Sequence, residues 1–517
     1  MATASGSARS SKGLASRWAA EISAKPLIVA LILASSIIAI RATGSVGSDV
    51  SWQLWIAHQL NGGVLLYHDI IETNPPLWFW MGMPVDWLAG QMHIRSDHLL
   101  ILMIGGLAAL SLGATNRLLP EMAGPRRTLL LGYAALVLVL MPWMQAGQRE
   151  QIVLIGTLPY AALINARRTG RPVDWRLASL IGAFAAFGFA LKHYFLLVPI
   201  LLELWLIAGQ RRAWRPFRPE TLAIAAVGVA YAAALALWAS NYLTVALSLI
   251  LLAYGVTGAE HLVDLFQPAV LTSFAIIALL LARLRALSSK DAGFAACMVV
   301  ASIGFAGAYF LQAKGWSYQA VPLAGCAAIA LAAFLLTEAR QPRIVALAAP
   351  ALLCLPFWIG AQQVMQDRAE GSDVRNAVSG LRAGDSVGFI GTDTALAWPV
   401  TLQRGFRYPS RYNGFWMMRA VIQNELAREP DPRLTELGRR IVRETVLDFR
   451  CAPPKRIIVA RPAPQAASDQ FDILDFFLRD PQFVDLLSHY RPIERTTVQT
   501  FVLVSPVAAG HDCLHRA

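Results

Sequence analysis

The chain has 517 residues, of which 56% are hydrophobic and only 15% charged, and its mean hydropathy is +0.48. No soluble core of this length hides that much apolar surface, so the composition excludes an ordinary water-soluble protein and indicates a polytopic α-helical membrane protein with membrane lipid as a partner. The formal charge of +12 does not signal nucleic acid, because the Lys and Arg residues stand in short clusters between apolar runs, as membrane topology requires.

Residues 1–24 are rich in Ser and Ala and carry Arg9, Lys12 and Arg17, and Lys25 then precedes the apolar run 26–40. No small-x-small cleavage site precedes Gly44, so this start reads as an uncleaved signal anchor with a cytoplasmic tail. Further apolar runs follow at 97–114, 127–143, 150–166, 176–191, 193–208, 219–240, 266–284, 292–311, 318–337 and 342–361, giving about eleven spans within a transmembrane region 25–362. On this topology one side of the membrane receives the clusters Arg126-Arg127, Arg167-Arg168-Arg171, Arg211-Arg212-Arg215-Arg218, Arg283-Arg285-Lys290 and Arg340-Arg343. The opposite side, ahead of the C-terminal tail, holds only Arg41, Arg95, Arg149, Lys192 and Lys314, so the first side is the cytoplasm.

Three apolar pieces stand outside this count. Residues 77–88 follow Pro75-Pro76 and are too short to span, while Trp52, Trp55, Ile56 and Leu60 form a stripe at helical spacing, and both read as helices lying in the outer interface. Residues 243–255 read the same way. After residue 362 the charges become frequent, and the β-like runs 386–390, 456–460 and 500–504 alternate with the helical stretches 432–446 and 472–487. Residues 363–517 thus read as an α/β domain, periplasmic by the same count of spans, in which Arg404, Arg407 and Arg411 form a solvated face. Cys297, Cys326 and Cys354 lie in apolar runs as small hydrophobes, whereas a disulfide between Cys451 and Cys513 is compatible with a domain outside the cytoplasm.

The polar residues of the membrane part gather on the outer loops. The loop 44–96 carries Asp49, His58, His68, Asp69, Glu72 and Asn74; later loops bring Gln148-Arg149-Glu150, Lys192-His193-Tyr194, Glu260, His261 and Asp264, and then Gln312, Lys314, Trp316, Tyr318 and Gln319. A solute transporter would place such groups near mid-membrane instead. Carboxylates take protons from hydroxyls, cations neutralise phosphate, and aromatic faces pack on sugar rings, so this set suits group transfer from a lipid-linked phosphate.

Four motifs carry a resemblance. They are Ser48-Asp49-Val50-Ser51-Trp52, the pattern Gly63-x-x-Leu66-Tyr67-x-Asp69-x-x-Glu72-x-Asn74-Pro75-Pro76-Leu77, Gln148-Arg149-Glu150, and Gln312-x-Lys314-Gly315-Trp316-x-Tyr318. Together they resemble the GT-C superfamily of membrane glycosyltransferases, in particular its bacterial dolichyl-phosphate-mannose-transferase-like members (family 39-like). The resemblance implies the GT-C fold, an inverting transfer with Asp49 as general base, a polyprenyl-phosphate-sugar donor, and a glycan, glycolipid or protein acceptor. The chain departs from the aminoarabinose transferases in having Asn74 where a Lys commonly precedes the Pro-Pro. Arg149, Lys192 and Lys314 then remain as candidate phosphate ligands. Glu72, Asp69, His68, Asn74, Glu150, His193, Trp316 and Tyr318 complete the expected substrate-binding set. Asp49, Glu72 and Glu150 are candidate ligands for a divalent metal, as in oligosaccharyltransferase relatives. Each residue also has a plain reading: Asp49 as a helix N-cap, Arg149 as an anchor at the headgroups, Trp316 and Tyr318 as members of an aromatic belt. Transfer of a whole oligosaccharide and, in a different class, solute transport are the alternatives.

Overall fold

The computed structural model describes residues 27–42, 44–120, 122, 124–254, 262–283, 293–337, 343–370, 372–460, 472–495, 498–508 and 513. The expected tail 1–24, Glu260 and His261, and the cations Arg285, Lys290 and Arg340 lie outside the described residues. Every run expected to span falls on a helix. By length and composition, Ser96–Leu118, His193–Ala213, Pro219–Trp238, Gly293–Gln312 and Ser317–Thr337 can cross a membrane, and Leu27–Ala42, Trp175–Ala190, Tyr242–Ala253, Pro268–Leu281 and Ala348–Gln362 are shorter apolar helices. The residues form two compact units, one of 1–44, 98–233 and 261–364, the other of 45–97, 234–260 and 365–517.

The first unit is an all-helical bundle centred on Arg149–Arg168, whose side chains are buried from Arg149 to Ala166, and on Gly293–Gln312 and Val321–Thr337. Small residues let these helices approach closely, the usual device where lipid removes the hydrophobic drive for association. A Cβ added at Gly188 would lie 2.9 Å from the Val153 Cα, and one at Gly304 would lie 3.0 Å from the Val198 Cα, so neither position tolerates a side chain without a backbone shift. The helix Pro219–Trp238 behaves oppositely. Leu222, Val229, Leu237 and Trp238 are 53–76% exposed around it, an apolar surface suited to lipid. Its single buried residue, Glu220, receives Arg167 at 2.9 and 3.0 Å and Arg218 at 2.9 Å, and Arg218 also grips Glu203 at 2.7 Å.

The second unit contains a four-stranded sheet in the order β1-β2-β4-β3, with β1 Val387–Ile390, β2 Arg456–Ala460, β3 Tyr490–Arg495 and β4 Val498–Leu503. β1 and β2 are parallel, joined by a crossover that includes the helix Pro432–Cys451; β4 runs antiparallel to both β2 and β3. Ile441, Val446, Phe449, Ile457, Val459, Phe477 and Phe483 form its core, and Ile71 from the loop after the first helix belongs to the same cluster. The backbone confirms that membership: Ile71 N donates to Arg411 O at 2.9 Å. Cys451 and Cys513 are joined as a disulfide with Cα atoms 5.2 Å apart.

One expectation needs correction here. Arg411 is not on a solvated face, because its backbone N–H donates to Asp448 Oδ2 at 2.9 Å and its guanidinium donates to Oδ1 at 2.9 Å, with Asp448 fully buried. Burial alone would lower the Arg411 pKa, but hydrogen bonding to Asp448 raises it overall. The physical reason is geometric: a bidentate fork with a backbone donor satisfies a carboxylate that the helix Pro432–Cys451 carries into the core. Asp448→Asn leaves the buried Arg411 charge to the longer contact with Glu444 at 3.4 Å, so we expect a loss of about 3 kcal/mol in stability. Thermal unfolding of the detergent-solubilised variant, read as a marked fall in Tm against wild type, checks this.

Candidate active site

The expected site residues fall into two clusters, one in each unit. In the second unit the helix Ser48–Asn61 begins after Gly47, which is the N-cap and makes no side-chain cap. Asp49 therefore is not the N-cap. It stands in the first helical turn, half-buried, where the helix N-terminus favours a carboxylate. One turn on, the indole N–H of Trp52 donates to Glu72 Oε2 at 2.6 Å. Glu72 Oε1 accepts from Thr73 N at 2.7 Å and from both Asn74 N and Asn74 Nδ2 at 2.8 Å, so its two oxygens are committed to shaping the loop ahead of the Pro-Pro. Tyr67, held at positive φ, donates its hydroxyl to Asn74 O at 2.6 Å.

Asp69 closes the turn by accepting from Leu65 N at 2.9 Å and contacts His68 Nδ1 at 2.7 Å, with the His68 ring exposed. His58 pairs with Asp86 at 3.1 Å, and the hydrogen bond to that carboxylate raises its pKa. Trp52 and Trp55 stack at 4.8 Å, and Trp398 and Tyr408, 5.2 Å apart, pack on them at 5.6–6.0 Å. Those last two aromatics were not singled out in the sequence. Ser48 Oγ lies 3.4 Å from Thr394 Oγ1, a further contact between this helix and the same C-terminal stretch.

In the first unit Gln148 caps the helix Arg149–Arg168, and Gln148, Arg149 and Glu150 are all buried, at 2%, 3% and 0% exposure. Lys192 donates to Glu150 Oε1 at 2.7 Å and to Gln312 Oε1 at 3.2 Å, and its ammonium lies 5.3 Å from the centre of the Tyr318 ring. Gln319 Nε2 donates to the same Gln312 oxygen at 3.1 Å. Trp316 and Tyr318 lie 5.8 Å apart, whereas His193 is exposed and lies tilted against Tyr194. Lys314 sits half-buried in the turn 313–316, in which Ala313 and Gly315 have positive φ; a Cβ at Gly315 would meet Asp264 O at 2.8 Å. Burial pushes the Lys314 pKa down to about 8.

The sequence thus located both Lys192 and Glu150 but not their pairing, which joins positions 42 residues apart. No three His, Cys, Asp or Glu side chains among the described residues come together as a metal requires, and Glu72 already accepts four hydrogen bonds. No step is assigned to a divalent ion.

No family model and no curated protein matches this sequence. A search of solved structures does find a chain-long likeness, to ArnT from Cupriavidus metallidurans bound to undecaprenyl phosphate, which covers 94% of this chain and 99% of that one at 12% identity and a TM-score of 0.57. The chain has the ArnT fold. The fold that the four motifs implied by resemblance is borne out, and the protein is a polytopic, largely helical membrane protein with a small sheet.

Lys314 yields a direct test of the site's electrostatics. Because its folded pKa is lowered from 10.5 to about 8, the folded state releases this proton before the unfolded state does, and stability rises with pH across that window. Acylation of Lys314 followed by mass spectrometry across pH is expected to show a midpoint near 8; a midpoint near the ordinary lysine value would mean the side chain is solvated.

Proposed function

We propose that the chain is a glycosyltransferase of the bacterial inner membrane that moves a sugar from a polyprenyl-phosphate-linked donor to an envelope acceptor, whether lipid, polysaccharide or protein. The observation that carries this reading is the likeness, over 94% of this chain, to a structure solved with undecaprenyl phosphate. The distribution of cations supports a periplasmic placement of the polar loops and of the C-terminal stretch. Nucleotide sugars are cytoplasmic, so a periplasmic site implies a lipid-carried donor.

Asp49 is assigned as the general base. Its carboxylate takes the proton of the acceptor hydroxyl as that oxygen attacks the anomeric carbon of the donor sugar. The bond from that carbon to the phosphate oxygen breaks with inversion, and polyprenyl phosphate departs with the electron pair. Arg149 and Lys314 are assigned to the phosphate, whose negative charge grows as the bond breaks. Because a phosphate is already a good leaving group, positioning and charge compensation supply most of the acceleration.

Mass analysis of envelope glycolipids and polysaccharides from a deletion strain tests the reading. One sugar should be missing, restored by the wild-type chain and not by Asp49→Asn, for which removal of the base predicts a loss of about 10²–10⁴-fold in transfer. Full restoration by Asp49→Asn would end the base assignment, and an unchanged envelope would end the transferase reading.

A further inference from the structure

Two acceptor oxygens in the Lys192 cluster are buried and receive no hydrogen bond among the described residues: Glu150 Oε2, in a residue 0% exposed, and Gln319 Oε1, in a residue 3% exposed. Their companion atoms are occupied. Glu150 Oε1 receives Lys192 at 2.7 Å, and Gln319 Nε2 donates at 3.1 Å to Gln312 Oε1, which also receives Lys192 at 3.2 Å. A buried polar atom left unpaired is costly, so two within one cluster mark a place that a donor supplied from outside would complete.

The charges decide what kind of donor this is. Lys192 and Glu150 form an ion pair at 2.7 Å, so the pair presents no surplus positive charge to a phosphate. An ionised phosphodiester also has no hydrogen to give, and it would face the Glu150 carboxylate. A sugar ring has the complementary chemistry: hydroxyls that donate to a carboxylate and an amide oxygen, and a C–H face that packs on aromatic rings. Such rings are at hand, with Tyr318 5.3 Å from the Lys192 ammonium and Trp316, 40% exposed, 5.8 Å from Tyr318.

We propose that Glu150 and Gln319, backed by Tyr318 and Trp316, form a subsite for the ring hydroxyls of the lipid-linked sugar, and that Lys192 positions Glu150 instead of holding the donor phosphate. This rests on the transferase reading above and deepens it, because it assigns the recognition of the sugar to residues apart from those assigned to the phosphate.

The test compares two probes on the purified full-length chain in nanodiscs: undecaprenyl phosphate, and a set of its hexose and pentose conjugates. Wild type is expected to bind at least one conjugate more tightly than the bare lipid. Glu150→Gln and Gln319→Met should each cut that preference about ten-fold, with affinity for undecaprenyl phosphate changed by less than about three-fold. Gln319→Met keeps side-chain length and strands no charge, so it carries the test even where Glu150→Gln fails to accumulate. Equal weakening of both probes, or a preference for conjugates that neither variant alters, would overturn the subsite while leaving the transferase reading standing. Wild type that binds no conjugate would remove both.

Discussion

A charge taken out of water must be met by an opposite charge or by several hydrogen bonds, and the buried ion pairs among the described residues answer that constraint. In the helical unit Lys192 is held by Glu150, and Arg167 and Arg218 share Glu220 while Arg218 also holds Glu203. In the second unit Arg411 is clamped to Asp448 and lies near Glu444. An ion moved alone into a low-dielectric interior loses several kcal/mol of solvation. Each pair therefore fixes which elements stand side by side: the helix Arg149–Arg168 against the turn that follows Leu191, the start of Pro219–Trp238 against the end of Arg149–Arg168, and the strand-like segment at Arg411 against the helix Pro432–Cys451.

Much of the fold was legible in the chain because lipid imposes a simple rule. Apolar runs of spanning length must be helices, and each expected run coincides with one. The β-like runs 386–390, 456–460 and 500–504 coincide with β1, β2 and β4. β3, Tyr490–Arg495, was not read, since YRPIER has little β-branched content and contains a proline, which an edge strand tolerates. The stretch 472–487 read as one helix and is two, because Asp480 caps a new start and Pro481 occupies its first turn. Residues 243–254 are helical but π-wound over Tyr242–Ala246 and Ile250–Tyr254, an irregularity that apolar content does not encode.

The site was legible as a list of residues and not as a set of partnerships. Asp49, Glu72, Lys192 and Lys314 stood out because polar groups beside a membrane are costly. What each one touches depends on long-range folding. Glu72 is engaged by Trp52 and by its own loop, and the helix bearing Asp49 contacts residues such as Thr394, 346 positions away. The reading of residues 363–517 as a separate domain rested on a shift in composition, and composition does not reveal that Ile71 pairs with Tyr412 or that Trp52 and Trp55 pack on Trp398 and Tyr408. Glu203 and Glu220 passed unnoticed because each lies within an apolar helix whose overall pattern masks a single carboxylate.

The central claim is that this chain breaks the bond between a sugar and a polyprenyl phosphate. Its most direct test uses the purified protein in lipid, mixed with lipid-linked sugars and envelope extract as acceptor, with free undecaprenyl phosphate followed by mass spectrometry. The account predicts release of undecaprenyl phosphate that depends on the acceptor and is matched mole for mole by glycosylated product. Absence of release with every donor and acceptor tried, from protein that is folded and binds the lipid, would contradict it.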